Sequence, residues 1–337
     1  MRRRTMLTGA AATAAAAANL LPSGGFAQAK TQTINMQLGW LASNNNIGEV
    51  VAKQLGYFEE EKLNVVIQPG GPSIDGVAIV ASGRCDIGQV SSSPSLMLAA
   101  SQKIPVKCFA TGLQQHPYTF FSLEKKPIRK PQDMVGKKIG IQATGKILLT
   151  ALLKKHNIPE KDVEVIVVGA DFSPLLTGQV DAFTGWLTST TAIKSLGQPP
   201  VTLRLWDAGV QLYALPLYAT KDTLEKKAPM VAGFLKAMSK GYAAAQKDPE
   251  KAADLLIKEY PNFKRDDELE GLKVLLKFAF NDNTKANGWG AFDPKVWQDQ
   301  ITLYDELKQF SAGAPKLEDV ITTAILDATK DARPKLG

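Results

Sequence analysis

Two histidines and two cysteines are all that 337 residues offer for building a metal centre or a nucleophile with its base. No H-E-x-x-H, G-x-S-x-G or paired-cysteine spacing occurs, so neither a zinc hydrolase nor a serine hydrolase is written into the chain. His156 closes the lysine-rich run LLKKHN, where a place at a helix C-terminus, facing the helix dipole, accounts for it. His116 follows Gln114-Gln115 and precedes Pro117, a setting suited to a hinge or a binding loop. Cys85 and Cys108 fall in strand-like segments, RCDIGQV and VKCFATG, and are expected as buried free thiols; an oxidising compartment would also permit them to pair. No basic run is interleaved with aromatics, which argues against nucleic acid. The alanine-rich stretch 7–21 is too short and too weakly apolar for a membrane span.

That stretch has another reading. Arg2-Arg3-Arg4-Thr5-Met6-Leu7 precedes it as a twin-arginine n-region, and Ala27-Gln28-Ala29 follows as an A-x-A cleavage site. Residues 1–29 are therefore expected to be a twin-arginine export signal, with the working protein in the periplasm. Their removal takes three arginines and no acids, and the formal charge falls from +7 to +4. So mild an excess points to no polyanionic partner.

A chain of this length that is 45% hydrophobic can bury a large core and suits two lobes. Strand-like runs at 33–39, 64–68, 86–90, 106–111, 118–122, 138–142, 163–168, 182–184 and 213–219 alternate with helical patterns, the signature of β-α units. From Pro229 onward only helical spacing remains: Val231, Phe234, Leu235, Met238 and Tyr242 recur on one face, then Trp297, Ile301, Tyr304 and Leu307. Helices without strands must pack on an existing sheet. The expected fold is α/β with mainly parallel sheets in two lobes, residues 30–115 with 219–337 and residues 116–218.

In open α/β sheets, ligands collect beyond the carboxyl ends of strands, where strand order reverses. Four loops have the right makeup. The first carries Trp40, then Ser43 and the asparagines Asn44, Asn45 and Asn46. The second presents Ser91 and Ser92 ahead of Pro94, a good first helical residue, so hydroxyls and unpaired amide N–H groups come together. The third holds Thr144 and Gly145, the glycine permitting close backbone approach; the glycine-rich lead-in of a phosphate loop is missing. The fourth repeats the first, with Trp186 followed by Thr188. Two indoles from opposite walls can sandwich a flat ligand, each contact adding about 0.5–1.5 kcal/mol beyond burial. The candidate ligand contacts are thus Trp40, Asn44, Asn45, Ser91, Ser92, His116, Thr144, Gly145, Trp186 and Thr188.

The segments LGYFEEEKLNV (55–65), SGRCDIG (82–88), PQDMVGKKIG (131–140), LTGQVDA (176–182) and DPKVWQ (293–298) carry a resemblance. In this order they make the chain similar to the periplasmic substrate-binding proteins of ABC importers in the nitrate/sulfonate/taurine and thiamine-pyrimidine-precursor group. The resemblance implies a type II periplasmic-binding fold, two lobes joined by two crossing strands and closing on a ligand. It also implies delivery to a membrane permease with its separate ATPase, and no chemistry on the ligand. Trp40 matches an aromatic that stacks on a heterocycle in the pyrimidine-precursor branch, although that branch continues with an asparagine-proline or histidine-containing loop where this chain reads Ser43-Asn44-Asn45-Asn46. Eukaryotic relatives that synthesise the pyrimidine carry a cysteine-rich segment and a sacrificial histidine, and neither is recognisable here.

The expected protein is a monomeric binder of a small heteroaromatic molecule, a thiamine-related pyrimidine foremost, with no cofactor and no metal. A sulfonate, taurine or carboxylate is the alternative ligand, weakened because no arginine lies in the four loops and Lys146 is their only cation. An exported enzyme of pyrimidine metabolism is the alternative class and would need a base, metal or nucleophile constellation.

Overall fold

Two five-stranded sheets organise the computed structural model, which describes residues 30–71 and 74–337. The export-signal expectation falls on residues 1–29 and lies outside the described residues. The strands are β1 (Gln32–Gln37), β2 (Leu63–Gln68), β3 (Ile87–Gln89), β4 (Val106–Leu113), β5 (Tyr118–Ser122), β6 (Lys138–Ile141), β7 (Glu164–Val167), β8 (Ala182–Trp186), β9 (Val201–Arg204) and β10 (Ala214–Thr220). The first sheet has the order β2-β1-β3-β10-β4 and the second β7-β6-β8-β5-β9.

Both sheets are mixed, which corrects the expectation of mainly parallel pairing. β1 runs parallel to β2 and β3, and β6 parallel to β7 and β8. β10 is antiparallel to β3 and β4, and β5 antiparallel to β8 and β9. The reason is topological: each antiparallel strand is the one on which the chain crosses in from the other sheet, so it enters against the direction of its hosts. The return crossing falls between Arg204 and Ala214, so Ala214–Tyr218 belong to the first sheet rather than to the second lobe.

The helices that bear on the site are α1 (Ile47–Gln54), α2 (Pro94–Ser101), α3 (Lys146–Lys155), α4 (Thr190–Lys194), α5 (Ala228–Lys247), α6 (Arg265–Ala279) and α7 (Pro294–Glu306). The apolar stripe of α5 is buried at Val231, Phe234, Leu235, Met238 and Tyr242, and that of α7 at Trp297, Ile301 and Tyr304. α5 crosses α1 at backbone distance: a Cβ on Gly241 would lie 2.3 Å from the Gly48 carbonyl oxygen. The Tyr242 ring then stacks on Trp289, centroids 4.0 Å apart. Cys85 and Cys108 are buried and unpaired, and burial pushes the Cys108 thiol upward. Among the described residues no helix is long and apolar enough to cross a membrane.

Candidate ligand-binding site

The four loops singled out in the sequence follow β1, β3, β6 and β8. β1 adjoins β3 and β6 adjoins β8, while the strand between each pair in the chain, β2 or β7, lies on the far side. Each pair therefore forms a switch point, where consecutive loops diverge and leave a crevice. The two crevices open into one cavity of about 670 Å³. Trp40, Asn45, Ser91 and Ser92 line it from the first sheet, and Thr144, Gly145 and Trp186 from the second. Trp40 stands on tightly packed backbone: a Cβ on Gly70 would lie 2.4 Å from the Leu38 carbonyl and 2.5 Å from the Trp40 nitrogen.

Three expected ligand contacts, Asn44, His116 and Thr188, do not line the cavity. All are buried and hydrogen-bonded to protein partners, with Asn44 Oδ1 alone of their side-chain polar atoms left without one. Asn44 Nδ2 donates to the Thr188 carbonyl at 3.0 Å, and Thr188 Oγ1 donates to Asn45 Oδ1 at 3.1 Å, which ties the loop after β1 to the loop after β8. Beside them Thr190 Oγ1 donates to the Asp267 carbonyl at 2.6 Å, joining α4 to α6. These bonds hold the two walls together.

His116 sits behind the wall. Its Nδ1 accepts the Tyr118 backbone N–H at 3.1 Å, so the ring proton is assigned to Nε2, which faces Ser92 Oγ. The ring meets Trp186 edge to face, centroids 5.2 Å apart. Burial drives its pKa down from 6.5 to about 3, so the imidazole is neutral and acts as a buttress for Trp186 and Ser92.

Among the described residues no lysine, arginine, histidine or cysteine lines the cavity; Lys146, the one cation of the four loops, lies outside it. Asp75 is the one acidic residue there among the described residues, and its carboxylate accepts the Ala78 N–H at 3.0 Å. Among the described residues no group of three histidine, cysteine or acidic side chains is placed to hold a metal ion. Two indoles, hydroxyls and amides in an otherwise uncharged chamber suit a flat, polar, neutral molecule.

The model of the family described as NMT1/THI5 like matches residues 43–252. The chain belongs to that family. Its relatives include a formylaminopyrimidine-binding protein of Halalkalibacterium halodurans, 25% identical over 81% of this chain and 85% of that one. A 4-amino-5-hydroxymethyl-2-methylpyrimidine phosphate synthase of Schizosaccharomyces pombe is 28% identical over 82% of this chain and 81% of its own. Among solved structures, the alkanesulfonate-binding protein SsuA of Xanthomonas axonopodis, bound to MOPS, superposes with a TM-score of 0.65 at 16% identity, covering 87% of this chain and 100% of that one. This likeness establishes the periplasmic-binding fold with its two α/β lobes.

Among the side chains of this NMT1/THI5-like cavity that sequence reasoning did not single out are Gln89, Tyr118 and Gln142. All lie in or beside strands, where a lone polar residue reads as a solvent-facing position. Gln142 is consumed internally, donating to the Gly169 and Thr184 carbonyls at 3.1 Å each. Tyr118 explains Gly145 better than ligand approach does, because a Cβ there would lie 2.2 Å from the Tyr118 hydroxyl. That hydroxyl is buried without a protein partner. Removing an orphaned buried hydroxyl relieves its desolvation cost, so Tyr118→Phe is expected to stabilise the ligand-free protein by about 1 kcal/mol. Denaturant titration checks this, and a destabilised variant would show that the hydroxyl is satisfied.

Proposed function

We propose that the chain is the solute-binding component of an ABC importer, exported by its twin-arginine signal, and that it captures a thiamine-related aminopyrimidine between its lobes for delivery to a membrane permease. The observation that carries this reading is the pair Trp40 and Trp186 on opposite walls of a cavity without a cationic lining among the described residues. A heteroaromatic ring stacks on indole through its quadrupole and leaves its polar edges to the hydroxyls and amides. The formylaminopyrimidine-binding relative supports the same ligand class. Sulfonate capture is disfavoured because a buried anion needs charge-assisted donors. The synthase relatives raise a catalytic alternative; against it stands His116, neutral and behind Ser92 and Trp186 rather than in the cavity lining. The protein acts as a monomer with lobes 30–115 plus 219–337 and 116–218, the residues of β10 excepted.

Thermal shift with aminopyrimidines, sulfonates and dicarboxylates tests the ligand class, since a ligand that binds only the folded state raises the midpoint by mass action. Aminopyrimidines alone should raise it; a rise with sulfonates alone would transfer the protein to the sulfonate binders. Trp40→Ala is expected to weaken binding by about 2 kcal/mol, roughly thirtyfold, and to abolish most of the ligand-induced fluorescence change. An unaltered response would remove Trp40 from the site.

A further inference from the structure

One buried acid is used by nothing described so far. Glu49 is fully buried in the first turn of α1, directly after the asparagine loop. Its Oε1 accepts from Gln89 Nε2 at 3.0 Å, and its Oε2 has no partner. Gln89 ends β3, is itself buried, and lines the cavity. A primary amide carries its N–H donors and its carbonyl acceptor on opposite sides of one carbon. With the donor end held on Glu49, the carbonyl end of Gln89 is turned away from α1.

We propose that Gln89 Oε1 is the acceptor that reads an N–H donor of the ligand, and that Glu49 is the positioning residue that turns the Gln89 amide to present it. The proposal rests on the aminopyrimidine reading and deepens it: the recognised feature is the ring's amino group rather than ring shape alone. Stacking between indoles tolerates any flat heterocycle, so discrimination must come from an edge contact of this kind. Without an acceptor opposite it, the Gln89 amide would be free to turn and offer a donor instead. A buried carboxyl next to a ligand chamber, paired to a single amide, is a costly arrangement that packing alone would fill with an apolar side chain.

The test compares 4-amino-5-hydroxymethyl-2-methylpyrimidine with the analogue bearing a methyl group in place of the amino group, by isothermal titration. The wild type should prefer the amine by about tenfold, the scale of one net hydrogen bond. Glu49→Leu and Gln89→Met should bring the two ligands near parity, while Glu49→Gln, whose carbonyl still accepts from Gln89, should keep the preference. Circular dichroism and thermal midpoints confirm that each variant folds. A preference that survives in both Glu49→Leu and Gln89→Met would overturn the inference and leave the aminopyrimidine reading standing. Failure of the wild type to bind either pyrimidine would overturn both.

Discussion

Acidification from pH 6.5 to pH 3 is expected to remove about 4–5 kcal/mol of folding stability through His116 alone. In the folded protein burial holds this ring neutral down to about pH 3, whereas the unfolded chain takes up a proton near 6.5. Below 6.5 the unfolded state therefore binds the extra proton, and stability falls as pH falls through that window. Glu49 works in the opposite direction. Burial raises it from 4.5 to about 7, so the folded state keeps a proton that the unfolded state has released, and stability drops by roughly 3 kcal/mol as pH rises from 4.5 to 7. The two slopes cancel between pH 4.5 and 6.5, which predicts a plateau there from groups that each titrate strongly. Urea titrations at half-unit pH steps should show the plateau in the wild type. Glu49→Gln should convert it into a continuous rise up to pH 6.5 and leave the variant more stable above pH 7. His116→Gln, which can still accept the Tyr118 N–H and donate to Ser92, should flatten the part of the acid limb that ion-paired carboxylates such as Asp181 and Glu259 do not supply. An acid limb identical in wild type and His116→Gln would show that the ring is protonated in the folded state.

Gly271→Ala is expected to weaken ligand binding by about 2 kcal/mol, roughly thirtyfold, without unfolding the protein. Gly271 lies on α6 under the bridge between the two lobes. A Cβ there would sit 2.3 Å from Asn44 Nδ2 and 2.4 Å from the Thr188 carbonyl oxygen, the two atoms that hydrogen-bond across the walls. The carbonyl belongs to backbone and cannot rotate aside, so the lobes must separate. The bonds Asn44 to Thr188 and Thr188 to Asn45 are then lost, each contributing about 1 kcal/mol to the closed form. A ligand held by both walls binds the closed form more tightly, and its apparent affinity falls by whatever closure now costs. Alanine replaces glycine inside a helix at a gain of about 1 kcal/mol in propensity, which offsets about half of the two lost bonds, so the thermal midpoint of the ligand-free variant should fall by only a few degrees. Small-angle scattering should show the variant remaining expanded at ligand concentrations that compact the wild type. Unchanged affinity and unchanged compaction would show that the contact at Gly271 yields without moving the lobes.

Much of the site was legible because loops at switch points advertise themselves. An aromatic or a serine cluster directly after an apolar run, followed by a helix start, marked the ends of β1, β3, β6 and β8 without any knowledge of how the strands pair. Single residues within those loops were less legible. Asn44 and Asn45 are neighbours of one residue type, yet Asn44 bonds across the lobes while Asn45 also faces the cavity, because the short 3-10 turn Asn44–Asn46 rotates successive side chains by about a third of a turn. Thr188 and His116 were expected at the ligand by composition; both are turned into the protein, one toward the asparagine loop and one behind Trp186. Gln89 and Glu49 carried no local signal, since a buried polar pair is recognisable only when its partner is known, and these two are 40 positions apart.

The sequence by itself determined the α/β class, the helical C-terminal region, the four loops and the two indoles, because hydrophobic periodicity and turn chemistry are local properties written every few residues. Only the tertiary structure decided which polar side chains line the cavity and which join the lobes. That division depends on contacts between segments far apart in the chain, and on the few ångströms of free space at Gly145 and Gly271, which no local pattern records.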